Sequence, residues 1–125
     1  MSIKTTISIG EFLDKLTILE IKRSKINDTV KLVNIVKEHD MLAKQWKESK
    51  HSRDDISSEL EALRQINERL WETEEKIRNK EKEREFDANF IELARSIYFF
   101  NDERARIKKN LNTFFKSELI EEKSY

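Results

Sequence analysis

After Gly10 the 125-residue chain contains neither glycine nor proline, so the commonest helix breakers are absent from almost its whole length. Helix boundaries must therefore be read from caps and from the spacing of apolar side chains. Ser8-Ile9-Gly10-Glu11 has the form of a capping box, in which the serine hydroxyl accepts from the third helical amide and the glutamate reaches back. Ile7 and Phe12 stand at the two staple positions around it. This predicts a first helix over about residues 9–26 with Phe12, Leu13, Leu16, Leu19 and Ile26 as its buried stripe.

Asn27-Asp28 stops that helix and caps a second, whose apolar positions are Leu32, Ile35, Val36, Met41, Leu42 and Trp46. The polar stretch Glu48 to Arg53 reads as a loop, with Ser52 and Asp55 offering the next cap. Ile56, Leu60, Leu63, Leu70 and Ile77 keep heptad spacing along a long, acidic third helix, with Asn67 and Glu74 in its seam. A break near Phe86-Asp87 leads to a fourth helix striped by Phe90, Ile91, Ala94, Ile97, Ile107, Leu111, Phe114 and Phe115. The expected architecture is all-α. It is an antiparallel helical bundle, or pair of helical hairpins, with coiled-coil character and long third and fourth helices. One domain over 1–125 is expected, with an extended arm at 1–8 and a polar tail at 117–125.

Composition narrows the chemistry. No cysteine is present, which excludes disulfides, thiolate nucleophiles and Cys-ligated metal sites. A single glycine excludes the Gly-rich phosphate loops. Twenty-five basic and 25 acidic side chains cancel, leaving no general positive field for nucleic acid or an anionic membrane. The longest apolar run, Ile97-Tyr98-Phe99-Phe100, falls far short of the roughly 20 residues that span a bilayer. The opening Met1-Ser2-Ile3-Lys4-Thr5-Thr6 lacks the apolar core of a signal peptide. A cytoplasmic protein without cofactor, nucleic acid partner or membrane insertion is expected. Charge is uneven along the chain: residues 1–53 are net +4 and residues 54–86 net −4. This predicts the basic first helix pair lying against the acidic third helix. The run 97–100 covers about 300° of helix circumference, more than one packing face. A homodimer through Tyr98, Phe99 and Phe100 would supply the missing cover.

Several polar residues interrupt otherwise apolar faces. On the fourth helix the stripe of Phe90, Ala94 and Ile97 meets Asn101, Arg104 and Lys108 at the continuing positions, with Asp102 about 100° away. Asn101 and Asn67 can bond each other and set register, as a seam asparagine does in coiled coils. Arg104 and Lys108 can alternatively hold a phosphate or carboxylate. In the register reading the partners are protein atoms: Asn67, Glu74, or a first-helix carboxylate such as Asp14 or Glu20. Asp14, Lys15 and Glu20 are charged positions among apolar neighbours on the first helix. Glu68, Glu72 and Glu75 share a side of the third helix, a weak magnesium candidate, but Glu72–Lys76 and Glu74–Arg78 also have the favourable ion-pair order. His39 and His51 lack metal spacing and read as ordinary surface residues.

The strings Ile9-Gly10-Glu11-Phe12-Leu13-Asp14-Lys15-Leu16-Thr17-Ile18-Leu19-Glu20-Ile21-Lys22, Asn67-Glu68-Arg69-Leu70-Trp71, Phe90-Ile91-Glu92-Leu93-Ala94-Arg95-Ser96-Ile97-Tyr98, Asn101-Asp102-Glu103-Arg104 and Glu121-Glu122-Lys123-Ser124-Tyr125 occur together. Collectively they resemble a family of small helical bacterial proteins known only as a domain of unknown function. The resemblance covers nearly the whole chain and implies a supporting role beside surface-polysaccharide biosynthesis. It implies no activity.

Three functions follow as expectations. The first is a non-catalytic helical interaction or scaffold module, dimeric, with a possible protein partner, because no nucleophile–base pair is recognisable. The second is a small cofactor-independent enzyme or binding protein for an anionic metabolite. Its architecture would be broadly that of the helical chorismate mutases, with Arg69, Arg78, Arg95, Arg104 and Lys108 as the basic groups. The third is a metal-dependent nucleotide hydrolase using Glu68, Glu72 and Glu75.

Overall fold

A computed structural model describes residues 1–125 and shows four α-helices and no strand. They are α1 (Ile9–Lys25), α2 (Thr29–Glu48), α3 (Ser57–Glu83) and α4 (Ala88–Phe114), with a short 3-10 turn at Lys50–Arg53 between α2 and α3. Residues 1–8 carry no regular structure, as does most of the segment after Phe114. No helix is long and apolar enough to cross a membrane.

The cap at Ser8 is confirmed, its hydroxyl accepting from the Glu11 amide at 3.1 Å. The reciprocal half of the box does not form, because the Glu11 side chain is drawn instead to Lys108 on α4. Asp28 caps α2 through the Lys31 amide and Asp87 caps α4 through the Phe90 amide. Ser52 does not cap α3: its hydroxyl donates back to the Lys47 and Ser49 carbonyls, and Asp55 accepts from the Ser57 amide instead. α3 is capped at its C-terminus by Arg84, in the left-handed region with φ 56°, and the break before α4 spans residues 84–87, which includes the expected Phe86-Asp87.

The core lies where α1, α3 and α4 meet: Leu13, Ile56, Leu63, Ile66, Ile107 and Leu111 are buried together. Phe12, Trp46, Phe100 and Phe115 pack onto it from the sides. Ile26, expected in the stripe of α1, is only half-buried, while Thr17 and Ile21 are buried. On α4, Ile91 and Phe114 are exposed although the periodicity placed them in the stripe.

α2 packs on α1 and on the short turn that follows it, and its backbone does not approach that of α3. Of the first helix pair, α1 lies against the acidic α3 as expected, but α2 does not. The principal side-chain ion pair between α1 and α3 even has the opposite polarity, an acid of the basic segment (Glu20) on a base of the acidic one (Arg64). Local geometry decides the pairing, since each partner lies on its helix where the other can reach it.

Candidate functional site

α1 and α4 approach closely at Gly10. A Cβ built there would sit 2.5 Å from the Lys108 carbonyl oxygen and 2.9 Å from Asn112 Oδ1, so only glycine allows the contact. The approach brings partners to the free amides of the α1 N-terminus. Ile9 N–H donates to Ser117 Oγ (3.3 Å), Gly10 N–H to Asn112 Oδ1 (2.6 Å) and Glu11 N–H to Ser8 Oγ. Two of the three caps thus come from the far end of the sequence.

Two polar clusters extend from this junction. In the first, the buried Lys108 ammonium meets Glu11 at 2.7 Å, Glu121 at 3.3 Å and Asp14 at 3.6 Å. Burial alone would push this amine down, but the hydrogen bond to Glu11 and the charges of Asp14, Glu11 and Glu121 outweigh it and hold it above its usual value. The Glu121 carboxyl is lowered by its hydrogen bond to Lys123 and by Lys108. The tail, expected only as a polar extension, is thereby folded back onto α4.

In the second cluster, Asn67 is buried in α3 and donates both amide protons, to Asp14 Oδ1 (2.8 Å) and Thr17 Oγ1 (3.0 Å). Thr17 passes its own proton to the Asp14 carbonyl. With Nδ2 fixed, Asn67 Oδ1 faces α4 and accepts from Arg104 Nη1 (3.3 Å), while Asn101 Oδ1 accepts from Nη2 (2.7 Å). The two asparagines do not bond each other directly; the Arg104 guanidinium stands between them. No carboxylate lies within ion-pair distance of Arg104, neither Glu74 nor a first-helix acid.

Arg104 faces a groove of about 490 Å³ between α1, α3 and α4. Ile18, Leu70 and Trp71 supply its apolar wall, and Glu74, Glu75 and Arg78 its rim. The Trp71 indole N–H donates to Glu75 at 2.8 Å and Arg78 pairs with Glu74 at 3.5 Å, which orients the rim side chains.

The remaining residues singled out by sequence are dispersed. Lys15 is exposed and pairs with Glu11 at 3.8 Å. Asp102 is exposed and does not line the groove; it borders a separate pocket between α4 and the C-terminal tail. Glu20 joins Arg64 and His39. Glu68, Glu72 and Glu75 are exposed, and no group of three acidic or histidine side chains converges as metal ligands. Of the five basic residues weighed for an enzyme pocket, Arg78 and Arg104 line this groove, Arg104 and Lys108 share a smaller one beneath the C-terminal tail, and Arg69 and Arg95 line neither. Both histidines, expected at the surface, are half-buried, His51 between Trp46 and Phe115. Sequence reasoning missed Asn112, Thr17, Ser117 and Glu121. Asn112 alone had a readable signal, since it lies one turn past Lys108 on the same polar-interrupted face.

Fold and site together define an all-helical protein with a buried polar network binding α1, α3 and α4, and an arginine-floored groove beside it. The chain belongs to a family of unknown function (DUF6165), whose model matches residues 3–125. No curated protein and no solved structure matches it.

Proposed function

We propose that the protein is a non-catalytic helical interaction module that pairs with a second copy through the distal half of the α3–α4 hairpin. One observation carries this reading: no residue from 74 to 106 is buried, although the segment holds Ile77, Phe86, Phe90, Ile91, Leu93, Ile97, Tyr98, Phe99 and Phe100. Two helices alone cannot enclose an apolar seam, whereas two hairpins form a four-helix bundle. Phe86, Ile91, Tyr98 and Phe99 each keep half or more of their surface in water in the single chain. The charges of this segment are nearly balanced, so antiparallel pairing meets no general repulsion.

Sedimentation equilibrium at tens of micromolar should give twice the 15.1 kDa chain mass. The double change Tyr98→Glu and Phe99→Glu should return the chain mass with helix content unchanged. A wild-type protein that stays at 15.1 kDa overturns the proposal.

A supporting role in cytoplasmic surface-polysaccharide assembly rests on the family resemblance described above. It is tested by whether deletion of the gene alters the surface polysaccharide of the source bacterium. A second reading, binding of an anionic metabolite, is favoured by one observation, the half-buried Arg104 that no carboxylate neutralises.

A further inference from the structure

Lys108 and Arg104 lie one turn apart on α4, yet their surroundings differ sharply. The ammonium of Lys108 has three carboxylates around it. The guanidinium of Arg104 has only the two neutral oxygens of Asn67 and Asn101. A guanidinium carries five N–H donors in a planar fork suited to a carboxylate. Two of its nitrogens are held by the asparagines here, so its orientation is set while donor capacity remains. The orientation is determined from behind, because Asp14 and Thr17 take both protons of the Asn67 amide and leave its oxygen for Arg104. A cation fixed in advance, short of counter-charge and open to a groove, has the properties of an anion receptor.

We propose that this groove binds a small organic carboxylate with a planar or apolar body. The carboxylate sits on Arg104 and the body lies against Trp71, Leu70 and Ile18. The groove, at about 490 Å³, is large enough for a ligand of one ring. Glu74 and Glu75 at the rim disfavour a dianion, which selects a carboxylate over a phosphate. They also accept from any hydroxyl or amine the ligand carries on its far side. This site rests on the second reading above, anion binding at Arg104, and it borders the proposed pairing surface, because Glu74, Glu75, Arg78, Asn101 and Arg104 belong to residues 74–106.

The test is an NMR titration of the full chain with benzoate, read at the Trp71 indole N–H and at the Arg104 Nε–H. Acetate, benzamide and inorganic phosphate serve as comparison probes. Saturable shifts of both signals are expected, with a dissociation constant of about 1 mM, the strength open to so small a ligand. Acetate lacks the body and benzamide lacks the charge, so each should bind at least tenfold more weakly. Arg104→Gln should lose tenfold or more, and Trp71→Ala should weaken benzoate without disturbing the Asp14–Asn67 network. Trp71 takes no part in that network, so this variant remains informative if Arg104→Gln unfolds. No saturable shift by about 20 mM benzoate, equal binding by Trp71→Ala, or phosphate binding more tightly than benzoate overturns the proposal.

Discussion

Gly10 is the residue whose replacement is most diagnostic of the fold. Its Cα–H side faces the Lys108 carbonyl so closely that a methyl group must push α4 away. Alanine favours a helix interior by about 1 kcal/mol over glycine, but overpacking a close helix contact costs about 1–3 kcal/mol. Gly10→Ala should therefore lower unfolding stability by up to about 2 kcal/mol net, measured by urea denaturation. Asn112 makes the complementary case. Asn112→Ala strands the buried Gly10 amide and should cost about 1–3 kcal/mol in the same assay. Arg104 differs from both. Its loss leaves no carboxylate unpaired, so the groove can be altered without the penalty of breaking a buried ion pair.

At the scale of elements, the helix ends of α3 and α4 are closed by residues with positive φ that are not glycine. Arg84 (φ 56°) and Lys116 (φ 52°) adopt the left-handed conformation, and the amides of Glu85 and Ser117 bond back to the Lys80 and Asn112 carbonyls. This closure normally uses glycine, which avoids a steric cost of about 1 kcal/mol. Arg84→Gly should accordingly raise stability by up to about 1 kcal/mol and lift the thermal midpoint by several degrees. A lower midpoint would show that the Arg84 side chain contributes more than its backbone costs. α2 is the weakest element. It has no buried residue, its backbone approaches only α1 and the short turn, and Trp46 is its one anchor on the core, so its amides should exchange with solvent well before those of α1 and the proximal half of α3. Hydrogen exchange followed by mass spectrometry checks this order.

For the whole molecule, the strap formed by residues 117–125 ties the two chain ends to one junction. Its anchor is the charge cluster around Lys108, and the sign of each shift sets its pH range. Glu121 is lowered below the ordinary glutamate value of 4.5, so its contribution is present above that pH and is lost as pH falls through the lower folded value. Lys108 is raised above 10.5, so its contribution is present below that pH and is lost as pH rises through the higher folded value. Between these limits the strap should be fully held. Amide exchange within residues 117–125, corrected for intrinsic rates, should therefore increase on acidification below about pH 4 before the helices melt. Glu121→Gln should show the loosened strap at neutral pH, while leaving Lys108 its contacts with Glu11 and Asp14.

Helix number, helix order and three of the caps were determined by the sequence alone, because caps and apolar period are local properties of neighbouring residues. Ser8, Asp28 and Asp87 act within a few residues of themselves, and so they are readable without a partner. The polar interruption at Asn67, Asn101, Arg104 and Lys108 was also visible, since a charged or amide side chain in an apolar stripe stands out by position. Which of these groups would neutralise which was decided by the tertiary structure. Lys108 receives Glu11, Asp14 and Glu121 from segments far apart in the chain, while Arg104, one turn away, receives none. Segment charges foretold contact between α2 and α3, but exposed charges interact weakly at such range and cannot choose a packing face. The need for glycine at position 10 likewise exists only once α4 lies across the start of α1, because the clash it avoids is with an atom about a hundred residues away.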